Sequence, residues 1–556
     1  MQIELTTLPH QKKAIKSIID IFEDISNVGK IIKNEKHPHA NPLLDKAYIE
    51  SHVIPCIKRI QQKNSVQPDM RNVSIPQGNS PLVIDIKMET GTGKTCVYSE
   101  LMFALNKNYG FNKFLIVVPS IAIREGTKNF ILSNSAKEYL RKDYENQDIN
   151  LTVFERQKNQ NRKNKHFPSA VREYFNGNIL LNNKIHALLI GPGIMTKSEK
   201  SSMNTDYEQS LLDEYTKPCD AIAHTRPIVI IDEPHRFKKE NTTFKYIKEK
   251  LNPQIIFRFG ATFPEIKTKD KIVKDYENLI YDVNAAKAFN DTLIKGVAPE
   301  SVGVIKETPI KVVEISCKGS SKYVRFDKDN KNYSVADTDL SSLNNKLSGI
   351  KIEKIDNNDD DYPNETIVEF SNGLKLKRGD KLYPEIFGES YQITMIKAAL
   401  HRHFKTELEN VKREDKIKTV CLFFIDSIDS YRNNNVPDKK GWLRLKFEDI
   451  LKDYLKQQLE IVEKEIGLGF DLQEYKEYLK ASINNITETN GGYFAQDWGD
   501  SDSGAIIEEV HDILHKERTL SFKKETGEWN LRRFFFSKWT LREGWDNPNV
   551  FTIAKL

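Results

Sequence analysis

Cysteine is scarce in this sequence: Cys56, Cys96, Cys219, Cys317 and Cys421 are the five among 556 residues. Their number is odd and no two are near neighbours, which excludes a disulfide framework and the paired spacing of a zinc ribbon. Such usage fits a reducing compartment, and a cytoplasmic location is expected. No run of about 18 or more apolar residues occurs, so an integral membrane protein is excluded and no membrane partner is expected. The opening MQIELTTLPHQKKAIKSI has neither the charged-then-apolar order of a signal peptide nor an acylation motif. There is no large excess of one charge either. The 84 basic and 79 acidic residues leave a net +5, which permits nucleic-acid binding through a local patch without arguing for it. No segment repeats at a fixed period.

What is present argues for a folded chain of several units. The 28 Phe, 21 Tyr and 5 Trp exclude global disorder. The length suggests about three to five structural units. Residues 8–24 place Ala14, Ile15, Ile18, Ile19 and Phe22 on one helical stripe. Residues 30–80 read as polar and partly looped. Short apolar runs follow: PLVIDIKM (81–88), FLIVVPS (114–120), HALLIG (186–191), PIVIIDE (227–233) and IIFRFGAT (255–262). Helical stretches such as TCVYSELMFALNK (95–107) alternate with them, which predicts a parallel sheet covered on both faces. Further on, β-like runs near 310–316, 322–326 and 366–370 predict a β-rich insertion over 305–385. Its acidic run IDNNDDDYPN (355–364) lacks the glycine and terminal Glu of a calcium loop and reads as a solvated loop. ITMIKAALHRHFKTELE (393–409) predicts a helix, TVCLFFID (419–426) and RRFFFS (532–537) predict strands, and the charged stretch 440–490 predicts helices.

METGTGKT (88–95) follows a predicted strand and opens a predicted helix, the context that a phosphate-binding loop requires. Gly91, Thr92 and Gly93 form the loop, and the two glycines let backbone N–H groups approach phosphate oxygens. Lys94 supplies a cation for the β- and γ-phosphates. Thr95 offers a hydroxyl to Mg²⁺, and the helix N-terminus adds its positive end. Met88 stands where the first glycine of G-x-x-x-x-G-K-[ST] is usual. Downstream, PIVIIDEPHRF (227–237) supplies two carboxylates at a strand end: Asp232 for the metal and Glu233 for the attacking water. His235 follows two residues later, where it can hydrogen-bond across a cleft. Upstream, Gln11 has an amide able to pair with an adenine edge. ATP and Mg²⁺ are therefore the expected cofactors.

METGTGKT, DEPH and FGATFP (259–264) together resemble superfamily 2 helicases and translocases. VVPSIAIREG (117–126), YDVNAAKAFNDTLIKGV (281–297), LFFIDSIDSYR (422–432) and LREGWDNPNVF (541–551) narrow the resemblance to the restriction subunit of type III restriction–modification enzymes. That family implies an α/β fold of two RecA-like lobes, with ATP held between them and duplex DNA across their top. It implies adenine reading by Gln11 and DNA contact by Pro119, Ser120 and Arg124. It also implies coupling of the two sites by Gly260, Ala261 and Thr262. Arg542, Glu543, Gly544 and Asp546 match the second-lobe motif near DNA and nucleotide. The implied partners are double-stranded DNA and a modification methyltransferase subunit, in defence against foreign DNA. The cationic run RQKNQNRKNKH (156–166) is read equally as a phosphate contact or a solvated loop.

The expected division is a first lobe over 1–275, a linker over 276–304, and the insertion over 305–385. The second lobe is expected to start over 386–435, to carry a helical, charged insertion over 436–525, and to resume over 526–556. The family pattern continues with a Q-x-x-G-R-x-x-R-like motif and a nuclease domain. Neither follows GWDNPNVF before Leu556, and the letters of Asp85-Ile86-Lys87 belong to the strand feeding the phosphate loop. The second lobe is thus expected to be incomplete, with an open sheet edge, and a C-terminal fragment is an expected partner. The chain is expected to bind ATP and hydrolyse it slowly. Two alternatives stay open: a nucleotide- and DNA-binding fragment without turnover, and a superfamily 2 helicase of another defence or repair system.

Overall fold

A computed structural model of the chain describes residues 5–22, 39–145, 147–154, 166–177, 184–196, 198, 201–238, 241–267, 272–300, 308–317, 322–334, 339–357, 365–371, 374–387, 389–494, 513, 519–524, 526–538 and 547–556. The described residues divide into two compact units, one within residues 1–297 and one within residues 298–556. No helix among the described residues is long and apolar enough to cross a membrane.

The first unit is built on a seven-stranded parallel sheet of RecA-like type. Its strands are β1 (Leu82–Met88), β2 (Lys113–Val117), β3 (Asp148–Phe154), β4 (Lys184–Ile190), β5 (Ile228–Asp232), β6 (Ile255–Gly260) and, after a short hairpin of β7 (Glu265–Lys267) and β8 (Ile272–Lys274), β9 (Leu279–Val283). Their order across the sheet is β3-β4-β2-β5-β6-β1-β9. Neighbouring residues on each strand feed opposite cores. Ile84, Ile86, Ile228, Ile230 and Phe257 enter one; Val83, Val229, Ile231 and Ile256 enter the other. A strand buried on both faces has no use for polar alternation, and this explains the continuous apolar runs in the sequence. The segment LIYDV, expected to open a linker at 276, instead pairs with β1 as the edge strand β9. Its apolar residues Leu279, Ile280 and Val283 are fully buried there.

Three helices position the site. Helix α1 (Pro9–Asp20) begins with a proline at its first turn and buries Ala14, Ile15 and Ile18. Helix α2 (Lys94–Tyr109) follows β1 directly, and α3 (Ile121–Leu132) follows β2. Helix α1 packs against α2 and β9.

A buried ion pair fixes the strand that feeds the phosphate loop. Arg258 on β6 donates to Asp85 on β1, Nε to Oδ1 at 2.6 Å and Nη2 to Oδ2 at 2.9 Å. Asp85 also accepts from the backbone N–H of Glu277 at 2.6 Å. Both side chains are wholly buried. The register sets Asp85 opposite Arg258 and Lys87 opposite Gly260.

The second unit opens with antiparallel β-structure in the expected insertion. One sheet orders β10 (Ile310–Ser316), β11 (Tyr323–Phe326), β12 (Tyr333–Ser334) and β16 (Lys381–Leu382) as β12-β11-β10-β16. The other joins β13 (Ile352–Asp356), β14 (Ile367–Phe370) and β15 (Lys375–Lys377). A four-stranded parallel sheet follows, β17 (Val420–Phe424), β18 (Asn490–Tyr493), β19 (Phe534–Ser537) and β20 (Val550–Lys555), ordered β18-β19-β17-β20. Strand β18 lies inside the stretch expected to be a helical insertion, so that insertion returns to the sheet before it ends. Helices α4 (Glu389–Val411), α5 (Trp442–Gly467) and α6 (Gln473–Asn484) accompany this sheet. Glu407 on α4 pairs with Arg533 Nε at 3.0 Å, lies 3.4 Å from His403 and accepts from Tyr475 Oη at 2.7 Å, all in the interior. Burial pushes its carboxyl up, but Arg533 and His403 bring it down to about 2. Among the described residues, strand β20 lies at one end of the sheet, with Ile553 exposed.

Removing one partner of a buried ion pair typically costs about 3–5 kcal/mol, because the other charge stays buried. Asp85→Asn is therefore expected to destabilise the protein by about 3 kcal/mol in denaturant unfolding at neutral pH. The double variant Asp85→Leu/Arg258→Met should lose less than Asp85→Leu alone; simple additivity would contradict the pairing.

Candidate active site

Four motifs of the first unit sit at the carboxyl ends of its parallel strands. Gly93 follows β1, Ser120 follows β2, Asp232 ends β5 and Gly260 ends β6. The register levels these ends, with Val117 opposite Ile231 and Asp232 opposite Phe259. Ligands of open parallel sheets bind at this edge.

The phosphate loop turns on two left-handed glycines, Gly91 and Gly93, each with φ 84°. Gly93 is the N-cap of α2, so that helix start has no side-chain cap, and its first turn has no acidic residue. By contrast, Ser120 caps α3, its hydroxyl accepting from the N–H of Ile123 at 3.3 Å. An uncapped helix N-terminus beside a lysine is an anion-binding arrangement. A Cβ on Gly93 would collide with Nε2 of Gln11. Gln11 fills that space and donates to the carbonyl of Thr92 at 3.1 Å. The neighbouring His10 places Nε2 2.8 Å from the same carbonyl. The loop closes further through the Thr92 hydroxyl, which donates to the Glu89 carbonyl at 2.6 Å. Gln11 thus stands against the phosphate loop; its adenine contact stays a proposal. Sequence reading singled out Gln11 and passed over His10, whose signal was its place beside Gln11 behind a helix-starting proline.

Lys94 reaches across to the acidic turn, with Nζ 3.0 Å from Glu233 Oε1. Both groups are largely buried. His235 Nδ1 lies 3.5 Å from the other oxygen of Glu233. Burial raises the Glu233 carboxyl, but His235 and Lys94 together take it below its ordinary range. Asp232 is more enclosed, and burial pushes its carboxyl up although Lys94 opposes the rise. The two adjacent carboxyls are thus split in opposite directions by their surroundings. Glu233 adopts φ 53°, a left-handed turn that a non-glycine residue seldom takes. Its N–H is held twice, by the Phe259 carbonyl and by Asp232 Oδ1, each at 3.0 Å. Such over-determination is what keeps strained backbone in place at a site. A Cβ on Gly260 would strike the ring of Pro234, so the Gly260-Ala261-Thr262 turn lies directly on the acidic turn.

Thr95 is half-buried at the head of α2, and Tyr98 Oη lies 3.4 Å from its hydroxyl and 3.5 Å from Asp232 Oδ2. Pro119 and Ser120 are half-buried at the start of α3, and Arg124 lies one turn on, with Nη2 3.5 Å from Glu125. Arg542, Glu543, Gly544 and Asp546 lie outside the described residues, as does nearly all of the cationic run 156–166. Asp85 and Lys87 go to structural partners in β1: Asp85 to Arg258, and Lys87 to Asp282 at 3.3 Å.

Residues 4–265 match the family described as "Type III restriction enzyme, res subunit". The Res subunit of the type III restriction-modification enzyme StyLTI, from Salmonella typhimurium strain LT2, is 37% identical over 583 residues, covering 100% of this chain and 52% of the relative. The EcoP15I Res subunit of Escherichia coli is 35% identical over 568 residues, and the EcoPI Res subunit of Escherichia phage P1 is 34% identical over 559; each match takes in 99% of this chain and 52% of the relative. Along its whole length the chain is similar to Res subunits of type III restriction enzymes. It spans about half the length of these Res relatives. A solved structure of a nuclease-deletion mutant of the Type ISP restriction-modification enzyme LlaGI in complex with a DNA substrate mimic is matched over 39% of this chain and 19% of that one, at 15% identity and a TM-score of 0.23. The matched residues 4–265 contain the loop at 91–95, the acidic turn and the start of α3.

Gly93→Ala is expected to cost about 1–2 kcal/mol, from a Cβ at positive φ and from displacing the Gln11 amide. Adding Gln11→Ala should relieve the collision but not the backbone strain, so thermal unfolding should show partial recovery. Wild-type stability of Gly93→Ala would contradict the packing of Gln11 in the loop.

Proposed function

We propose that this chain is the ATP-dependent DNA translocase part of a type III restriction enzyme's Res subunit. The observation that carries the proposal is the joining of phosphate loop and acidic turn by Lys94 and Glu233 at one sheet edge. Kinship along the whole chain with Res subunits supports it. Duplex DNA is the substrate track in this reading, a modification methyltransferase subunit is the partner, and defence against foreign DNA is the role.

The residues fit a nucleotide with its magnesium ion. The uncapped start of α2 offers backbone donors to phosphate, and Lys94 offers a cation. Thr95 and Asp232 are hard oxygen donors, one hydroxyl and one buried carboxylate. Among the described residues no cluster of three or more His, Cys, Asp or Glu side chains could hold a metal alone. Magnesium beside phosphates needs only one or two protein oxygens, so the pair suffices. When bound, the ion would neutralise charge on the β- and γ-phosphates.

The rest of the chemistry belongs to the chain. Phosphate oxygens compete with Glu233 for the Lys94 ammonium, so nucleotide binding exchanges one ion pair for another. Glu233 then loses its nearest cation, and its oxygens are available to orient and deprotonate water. His235 keeps hold of one of those oxygens and fixes the direction of the other. Asp232, more deeply buried, is suited to hold a cation rather than to take a proton from bulk water. Gln11 and His10 keep the loop turn at Thr92 in place. In this reading Gln11 also faces adenine, while Ser120 and Arg124 at the head of α3 face DNA.

Lys94→Ala should lower affinity for a fluorescent ATP analogue at least tenfold, about 1.4 kcal/mol. Unchanged affinity would overturn the phosphate-loop assignment. Glu233→Gln keeps shape and removes the base; steady-state phosphate release should fall about 100-fold or more while analogue binding survives. Equal turnover of wild type and Glu233→Gln would remove Glu233 from the mechanism. A wild type that binds nucleotide and DNA with no phosphate release at all would favour a binding fragment over an enzyme.

A further inference from the structure

Thr95 and Asp232 share a neighbour that none of the motifs contains. Tyr98 lies one turn along α2 from Thr95, fully buried, its ring edge-on to Phe259 with centroids 5.8 Å apart. Its Oη is 2.8 Å from Thr127 Oγ1, 3.4 Å from Thr95 Oγ1 and 3.5 Å from Asp232 Oδ2. The Tyr98 hydroxyl donates to Asp232 in this arrangement, and the Thr127 hydroxyl, which can take either role, then donates to Tyr98. The 3.5 Å contact with Asp232 is longer than the usual O–H···O range of about 2.5–3.0 Å, as site contacts often are before ligands bind.

Thr127 is also buried, and it belongs to α3. It lies three residues beyond Arg124 on the same side of that helix, whose first turn is capped by Ser120. One hydroxyl therefore connects the helix bearing Ser120 and Arg124 to the carboxylate at the end of β5. Packing against Phe259 does not require that hydroxyl, since a phenylalanine would fill the same space. Phe259 also precedes Gly260-Ala261-Thr262 directly, so the ring touches the strand end that leads into that turn.

We propose that Tyr98 is a positioning residue that couples α3 to Asp232 through the chain Thr127–Tyr98–Asp232, so that DNA on α3 changes how the metal-side carboxylate is held. This rests on the reading of Asp232 as a metal ligand and of α3 as a DNA-contact helix. A small shift of α3 moves Thr127 Oγ1 relative to Tyr98 Oη, and the Tyr98 hydroxyl passes the shift to Asp232. Such coupling is reciprocal: whatever factor DNA applies to nucleotide affinity, nucleotide applies to DNA affinity.

The test is binding, which needs no turnover. A fluorescent non-hydrolysable ATP analogue with Mg²⁺ is titrated into the chain with and without a short DNA duplex. In the wild type the duplex should change analogue affinity by about fivefold or more. Tyr98→Phe should bring the DNA effect down to about twofold or less, whatever its effect on DNA-free affinity. Thr127→Val should reproduce that loss, Thr127→Ser should restore the wild-type factor, and the threonine variants read the same link if Tyr98→Phe fails to fold. A wild-type coupling factor in both Tyr98→Phe and Thr127→Val overturns the proposal and leaves the functional reading standing. Nucleotide and DNA binding without coupling in the wild type also overturns it. A wild type that binds no nucleotide overturns the functional reading, and this proposal with it.

Discussion

The 3.0 Å pair between Lys94 and Glu233 ties together the two parts on which the site depends. One belongs to the loop after β1, the other to the turn after β5, and β6 lies between those strands. Neither group can do its proposed work while holding the other. A lysine that neutralises a carboxylate is not free for phosphate, and a carboxylate drawn down by a lysine is a weaker base. In the proposed function, the pair makes phosphate binding a condition for the base to be released. The proposed step is the exchange of one anion for another on the same ammonium.

The exchange is meaningful because the surroundings are rigid. Arg258 and Asp85 lock β6 to β1 below the loop, and the N–H of Glu233 is held at two points. Gln11 and His10 grip the Thr92 carbonyl from α1. With backbone on both sides fixed, the long Lys94 side chain is the natural part to move. The second unit uses the same device away from any motif, in the buried Arg533–Glu407–His403 group. Buried charges of this kind contribute little net stability, but breaking one is costly, and that penalises alternative packings.

Much of the first unit was legible in the sequence because parallel strands buried on both faces leave continuous apolar runs. The phosphate loop and acidic turn were legible because their chemistry demands particular residues at strand ends. The edge strand β9 was missed since LIYDV is short and follows a hairpin, and only its pairing with β1 distinguishes it from a linker. Strand β18 was missed for a different reason: NGGY is glycine-rich and follows a long helical stretch, so it carries no strand propensity of its own. The contacts of Tyr98 with Thr127, and of Arg258 with Asp85, join residues 29 and 173 positions apart, and no local pattern announces such pairs. The spacing of Tyr98 three residues after Thr95 on one helix face was the one available hint.

The central claim is that nucleotide takes Lys94 away from Glu233. The most direct measurement is an experimental structure of this chain with Mg²⁺ and a non-hydrolysable ATP analogue. The account predicts Lys94 Nζ on the phosphates, separated from Glu233 by more than an ion-pair distance of about 4 Å, with Glu233 still held by His235. Analogue bound in the phosphate loop with Lys94 still on Glu233, or analogue bound elsewhere on the chain, would contradict it.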